Sequence, residues 1–201
     1  MKGSSLCYLC GKPATTKDHL PPKTLFAPPR PSNLITLPSC TECNRAYALD
    51  EEYFRNNISM ISNHEYAADI WEATRRSYKR KPKILADITS RVFLGKFGPK
   101  PLPILKFDAE RTNRVLIKIA KGLIFHHIGH RLPSHVQAQV FLDPEISGQL
   151  YELIRKLPYR RRWGTRFCYL GGMAKDDSDT GLWVLDFYVS KVFVVSFGAA
   201  P

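Results

Sequence analysis

The sequence predicts an α+β fold, in which a small metal-stapled module precedes a basic domain of helices and antiparallel strands. Two Cys-x-x-Cys pairs lie within the first 43 residues, helical periodicity dominates the middle of the chain, and alternating hydrophobicity dominates its last third. The 201 residues, 44% of them hydrophobic, suffice for a small domain and an ordinary one. We place the boundary after residue 64, which gives domains 1–64 and 65–201.

The four paired cysteines predict a structural zinc site in the first domain. Cys7 and Cys10 form one pair, and Cys40 and Cys43 form the other. Four thiolates in two such pairs match the tetrahedral coordination of Zn²⁺, and residues 1–48 are rich in turn formers, as expected where a metal replaces a core. Redox-active or simply buried cysteines are the alternatives. The fifth cysteine, Cys168, lies in an apolar string and is expected to be a core residue.

The middle of the chain predicts two helical stretches. Asp50 is a candidate N-cap for a helix over residues 51–80, either continuous or divided near Asn63. Further helix follows, then a Gly/Pro-rich loop over residues 95–103. Asp108 is expected to cap the second strong helix, which ends before Gly129. The acidic residues after Asp50 are interpreted as solvated groups at a helix start.

The last third predicts an antiparallel sheet that packs on the second strong helix. Alternation favours strands over residues 136–142, 166–170, 182–188 and 191–197, and residues 144–157 suit a short helix.

The charge distribution favours a polyanionic partner. The chain carries 30 Lys and Arg against 18 Asp and Glu, for a net charge of +12. Residues 1–64 hold 7 basic and 5 acidic residues, so a net +2 lies there and +10 in the remainder. Basic surfaces bind nucleic acid because each neutralised phosphate releases counterions.

Two basic runs are candidate nucleic-acid-binding groups. One lies at the end of the first helical stretch, and the other lies beside Tyr159 and Trp163, whose rings are available to stack on bases. A solvated surface is the alternative interpretation of either run. The candidate residues are Arg75, Arg76, Lys79, Arg80, Lys81, Arg160, Arg161 and Arg162.

Between and after the cysteine pairs lies an ordered set of polar motifs. It consists of Asp18-His19-Leu20-Pro21-Pro22, Asn33-Leu34-Ile35-Thr36-Leu37, and Asn44 directly after the fourth cysteine. In this order the first 50 or so residues resemble the HNH endonuclease family. The resemblance implies a ββα-metal finger, in which a hairpin carries the Asp-His pair, a helix returns a metal ligand, and zinc holds the two together.

The resemblance also implies a role for each polar residue. His19 would be the general base that activates a water, since neutral imidazole has a suitable pKa. Asp18 and Asn44 would offer oxygen ligands to a catalytic Mg²⁺ or Mn²⁺, and Asn33 would orient the histidine. Many members have His at the position of Asn44, so this chain resembles the HNN variant. Ordinary turn or cap roles are the alternatives for Asp18, Asn33 and Asn44.

These features lead us to expect a metal-dependent endonuclease that hydrolyses phosphodiester bonds, with DNA as the expected substrate and a role in defence. Two alternatives remain. The module binds nucleic acid without cutting it, or the carboxy-terminal domain binds a partner protein that directs the nuclease. No run approaches the roughly 18 to 20 apolar residues of a membrane helix, and residues 1–6 lack a secretory signal. We therefore expect a cytoplasmic protein.

Overall fold

The computed structural model describes residues 5–62, 65–80, 82–96, 101–142, 148–189 and 191–198. Within these residues the chain forms mixed helical and strand structure, as the predicted α+β class requires. The helices are α1 (Thr41–Ala46), α2 (Ala48–Ile61), α3 (Glu65–Arg80), α4 (Pro82–Ser90), α5 (Ala109–Ile128) and α6 (Gly148–Arg155). The strands are β1 (Thr16–Leu20), β2 (Ile35–Ser39), β3 (Val92–Lys96), β4 (Pro101–Leu105), β5 (Gln137–Leu142), β6 (Tyr159–Trp163), β7 (Phe167–Met173), β8 (Gly181–Phe187) and β9 (Lys191–Gly198).

The amino-terminal part is an antiparallel hairpin followed by a short helix. Strand β1 pairs with β2 so that His19 lies opposite Thr36 and Asp18 lies opposite Leu37. Because side chains alternate across a strand, Asp18 points to the buried face of β1 and His19 to the other face. Helix α1 begins directly after β2, with Cys40 as its N-cap.

The helical middle confirms one prediction and corrects two others. The first helical stretch is divided, because Ser62 has an extended backbone and ends α2. Asp50 is not an N-cap, since α2 begins at Ala48 and the Asp50 carboxylate instead pairs with Arg111 and Arg114. The predicted loop over residues 95–103 was wrong in part, because residues at its two ends belong to the β3–β4 hairpin. Prolines fit there because each strand of a two-stranded sheet has one unpaired edge.

Helix α5 is the central element of the structure. Its predicted cap is confirmed, since the Asp108 carboxylate accepts a hydrogen bond from the Arg111 backbone N–H, and Gly129 ends the helix with φ of 82°. A left-handed φ of this kind favours glycine. The face that contains Val115, Ile119 and Leu123 is completely buried.

The carboxy-terminal part forms the predicted antiparallel sheet, with strand order β5-β9-β8-β7-β6. One face packs on α5, and the other packs on α6 through Ile154, Val184 and Val194. Strand β6 was not predicted, since three consecutive arginines conceal its alternation of exposed and buried positions.

One hydrophobic core joins the hairpin, α5 and the sheet. Leu20 and Leu37 of the hairpin belong to the same buried cluster as Trp183 of the sheet. The hairpin approaches α5 at Gly122, where a Cβ atom would lie 3.0 Å from the Leu20 methyl carbons. The division after residue 64 stays a prediction, but the two parts share this core. None of the helices in the described ranges combines the length and apolar character needed to cross a membrane.

Candidate functional site

The four paired cysteines come together beside the hairpin. Cys7 and Cys10 precede β1. Cys40 is the N-cap of α1, and Cys43 lies in the first turn of that helix. Their four Sγ atoms all lie within 4.8 Å of one another, close enough to bind one metal ion. Four sulfur ligands at this spacing suit a structural metal such as zinc. The cluster links the segment before β1 to α1, as the cysteine spacing predicts.

Backbone N–H groups favour the thiolate of Cys7, the metal-binding form of cysteine, whereas burial and the neighbouring thiols raise the pKa of Cys43. Burial alone would raise the pKa of Cys7, but hydrogen bonds from the backbone of Cys10, Cys40 and Leu9 lower it to about 6. The Cys43 backbone N–H donates to the Cys40 Sγ at 3.3 Å. Gly11, with φ of 77°, makes the turn that follows Cys10, and its N–H donates to the Cys7 carbonyl at 2.9 Å.

Asp18 lies on the inner side of the hairpin, in a buried ion pair. Its Oδ2 atom lies 2.7 Å from the Nζ of Lys118 on α5 and accepts a hydrogen bond of 2.8 Å from the Tyr8 hydroxyl. Its Oδ1 atom accepts a hydrogen bond from the His19 backbone N–H at 2.8 Å. Both carboxylate oxygens are therefore engaged by the protein, and a positive charge of the chain itself contacts Asp18.

A second carboxylate shares the Lys118 ammonium. Glu51 of α2 pairs with Lys118, whose side chain is only 1% exposed. Burial raises the pKa of Glu51 despite the nearby ammonium. Burial would lower the pKa of Lys118, but the charges of Asp18 and Glu51 outweigh it and raise the pKa. The prediction that Glu51 is a solvated group at a helix start is therefore wrong. Lys118 was not predicted as the partner of Glu51, although a lysine between Val115 and Ile119 in an apolar helical stripe is a visible signal.

His19 lies on the opposite side of β1 and lines a cavity of about 260 Å³. Lys23 and Arg30, from the segment between β1 and β2, line the same cavity, together with Thr36 opposite His19. Burial lowers the pKa of His19, and the positive charge of Lys23 lowers it further. The imidazole is therefore neutral near pH 7 and able to accept a proton, beside two cations suited to an anionic ligand.

The two predicted asparagines do not contact His19 through the described hydrogen bonds. Asn44 donates from Nδ2 to the Thr16 Oγ1 at 3.3 Å. The Asn33 Oδ1 accepts a hydrogen bond of 3.0 Å from the indole N–H of Trp163, in the distant strand β6. Asn33 therefore joins the hairpin to the sheet, and its orienting action on His19 stays a prediction without support from these contacts.

The predicted basic residues fall in two separate places. Arg75 and Arg76 are exposed on α3, and Arg75 pairs with Glu72 at 3.1 Å. Lys79 and Arg80 belong to α3 by their backbone, their side chains lie outside the described part of the chain, and Lys81 lies outside the described residues altogether. The remaining three candidates, Arg160, Arg161 and Arg162, lie on β6.

Cys168 confirms the expectation of a core residue. It is buried in β7, and its Sγ lies 3.6 Å from an Asp186 carboxylate oxygen. Burial raises the pKa of this thiol to about 11, which keeps it protonated and unreactive at neutral pH.

Comparisons with known proteins find no matching family model, no matching curated protein and no matching solved structure.

Proposed function

We propose that this chain is an HNH-type endonuclease that hydrolyses phosphodiester bonds in nucleic acid, with His19 as the general base and DNA as the expected substrate. The observation that carries the proposal is the position of His19. It lies in a cationic cavity, on a hairpin that packs beside a four-cysteine cluster.

The cavity supplies two of the functions that phosphodiester hydrolysis needs. A neutral imidazole removes a proton from the attacking water, and the lowered pKa of His19 keeps it neutral. Lys23 and Arg30 offer positive charge to the phosphate oxygens, on which charge accumulates in the transition state.

In this proposal the four-cysteine cluster binds a structural Zn²⁺ that holds the amino-terminal segment against α1. Such an ion is distinct from the catalytic Mg²⁺ or Mn²⁺ that the sequence predicts at Asp18 and Asn44. Because Asp18 is paired with Lys118 in this structure, direct ligation by Asp18 would require that ion pair to open. Metal ligation by Asn44 therefore stays a prediction, whereas these contacts favour an ion-pair role for Asp18, and the proposal depends on His19 and its cationic neighbours.

The same ion pair favours one alternative function. If Lys118 holds Asp18 permanently, and the reaction requires a metal at Asp18, the chain binds nucleic acid through the cationic cavity without cutting it. Delivery of the nuclease by a partner protein stays a sequence-based alternative.

A cleavage assay separates these functions. Wild-type protein is incubated with supercoiled plasmid, linear duplex, single-stranded DNA and RNA, each with Mg²⁺, Mn²⁺ or chelator. His19→Ala is the test variant, and His135→Ala is the matched control, since His135 is exposed and contacts Asp179 in a different part of the structure.

We expect wild-type cleavage with a divalent metal, and a fall of about 10² to 10⁴ in rate for His19→Ala, because positioned general-base catalysis typically contributes that much. Zinc content, melting temperature and nucleic-acid binding should remain at wild-type values, and His135→Ala should cleave normally. Equal cleavage by His19→Ala would refute its role as the base. Binding without cleavage of any substrate would establish the alternative.

A further inference from the structure

The three arginines of β6 alternate between the two faces of this edge strand. Tyr159, Arg161 and Trp163 occupy the face toward α5, where the Tyr159 ring stacks on His127 with centroids 4.3 Å apart. Arg160 and Arg162 are exposed on the other face. The positive charge of Arg162 there opposes the rise that burial causes in the pKa values of Cys168 and Asp186. This separation follows from strand alternation, in which neighbouring side chains point to opposite faces.

Arg161 is joined directly to the rim of the His19 cavity. Its guanidinium donates a hydrogen bond of 3.0 Å to the Asn33 carbonyl, and the two neighbours of Asn33, Ser32 and Leu34, line that cavity. The guanidinium also lies over the Trp163 ring, 4.7 Å from its centroid. Both contacts orient a long side chain that would otherwise lose entropy on binding a ligand.

The described residues that line the cavity are cationic or neutral, as is Asn33, which joins the cavity rim to Arg161. Lys23 and Arg30 line the cavity, and none of its described lining residues is acidic. Among the ion pairs that the described residues form, none involves Arg161, whose hydrogen bond to Asn33 goes to an uncharged carbonyl. A guanidinium has five N–H donors, which suit a phosphate.

We infer that Arg161 continues the His19 cavity as a phosphate-binding residue for the same nucleic-acid strand, whereas Arg160 and Arg162 do not contact that strand. The inference rests on the proposed function, because it assigns the occupant of the cavity to nucleic acid. It also separates the three candidate arginines, since Arg161 is the one whose guanidinium contacts Asn33 at the rim of the His19 cavity.

Binding is measured in chelator on the His19→Ala background, so that affinity is read without cleavage. The probe is a fluorescent single-stranded DNA oligonucleotide, titrated at several salt concentrations with Arg161→Gln, Arg160→Gln and Arg162→Gln. Wild-type cleavage of the same DNA is measured in parallel with Mg²⁺.

We expect Arg161→Gln to weaken binding about five- to ten-fold at 0.1 M salt and to reduce the slope of log K against log salt by about 0.7. Arg160→Gln and Arg162→Gln should keep the wild-type slope. An unchanged slope for Arg161→Gln, or an equal reduction by either neighbouring arginine, would overturn the inference. If the predicted slopes are found but wild-type protein does not cleave the DNA, the nuclease proposal alone is rejected.

Discussion

Replacement of Lys118 by methionine should destabilise the protein strongly, because it leaves the buried Asp18 carboxylate and the largely buried Glu51 carboxylate without their cation. Lys118 is 1% exposed and contacts both Asp18 and Glu51. Methionine retains much of the length and apolar packing of the lysine stem, so the main change is the loss of positive charge. Removal of one partner from a buried ion pair typically costs about 3 to 5 kcal/mol. That is a large part of the roughly 5 to 15 kcal/mol by which native proteins are stable.

The loss should be visible in both chemical and thermal denaturation. For a chain of this size, about 3 to 5 kcal/mol corresponds to a fall of about 6 to 20 °C in melting temperature. The loss should also depend on pH. Burial raises the pKa of Glu51 above its ordinary value even in the wild-type protein, where the Lys118 charge lowers it. Without that charge the pKa of Glu51 rises further, so the folded variant binds more protons than folded wild type as the pH falls. Stability of the variant relative to wild type should therefore recover as the pH falls from 7 toward 5.

Two further variants test the reasoning. Lys121→Met is the matched control on the same helix, since burial lowers the pKa of Lys121 and no described carboxylate pairs with it; its unfolding free energy should change by less than about 1 kcal/mol. Addition of Asp18→Asn and Glu51→Gln to Lys118→Met should recover most of the loss, because neutral groups need no buried cation. A Lys118→Met protein as stable as wild type at pH 7 would refute the proposed stabilisation of Asp18 and Glu51 by Lys118.

The remaining predictions concern metals. Metal analysis should find one zinc ion per chain. Cys40→Ser should abolish zinc binding, whereas Cys168→Ser should retain it. A zinc-free protein whose cysteines are reduced would reject the site. Asp18→Asn should lower the melting temperature without changing the Mg²⁺ concentration needed for half-maximal cleavage, since its carboxylate contacts Lys118. A raised Mg²⁺ requirement at unchanged stability would instead identify Asp18 as a metal ligand. Asn44→Ala should raise the Mg²⁺ requirement and leave the melting temperature near wild type, as expected for loss of an oxygen ligand.

Sequence reasoning was most successful where a local period or spacing determines the structure. Strands β8 and β9 and the helix cap at Asp108 follow from patterns among residues that are close in the sequence. The spacing of the cysteines likewise predicts that four sulfur atoms lie close together. Strand β6 was missed because the residues on both of its faces include arginine, which hides the alternation. The contact of Arg161 with Asn33 joins residues more than a hundred positions apart, so no local pattern predicts it.

The candidate site was predictable only in part, for a related reason. His19 follows from its motif, but its cationic neighbours Lys23 and Arg30 reach the cavity through the irregular segment between β1 and β2. Lys118 pairs with Asp18 across a hundred residues, although on the helix it occupies an apolar stripe. Contacts between distant segments have no sequence period, so a single sequence predicts the residue types but not these pairings.

The shared core changes the expected role of the metal. The sequence suggests that zinc replaces a missing hydrophobic core, yet Leu20 and Leu37 are buried against α5 in the cluster that includes Trp183. Burial of such side chains contributes about 1.5 to 3 kcal/mol each, independently of any metal. Loss of zinc through Cys40→Ser should therefore loosen the segment before β1 and the start of α1 locally, while β1, β2 and the sheet stay folded. Hydrogen exchange would measure this directly, and a cooperative loss of protection throughout the sheet would show that the metal supports the whole structure.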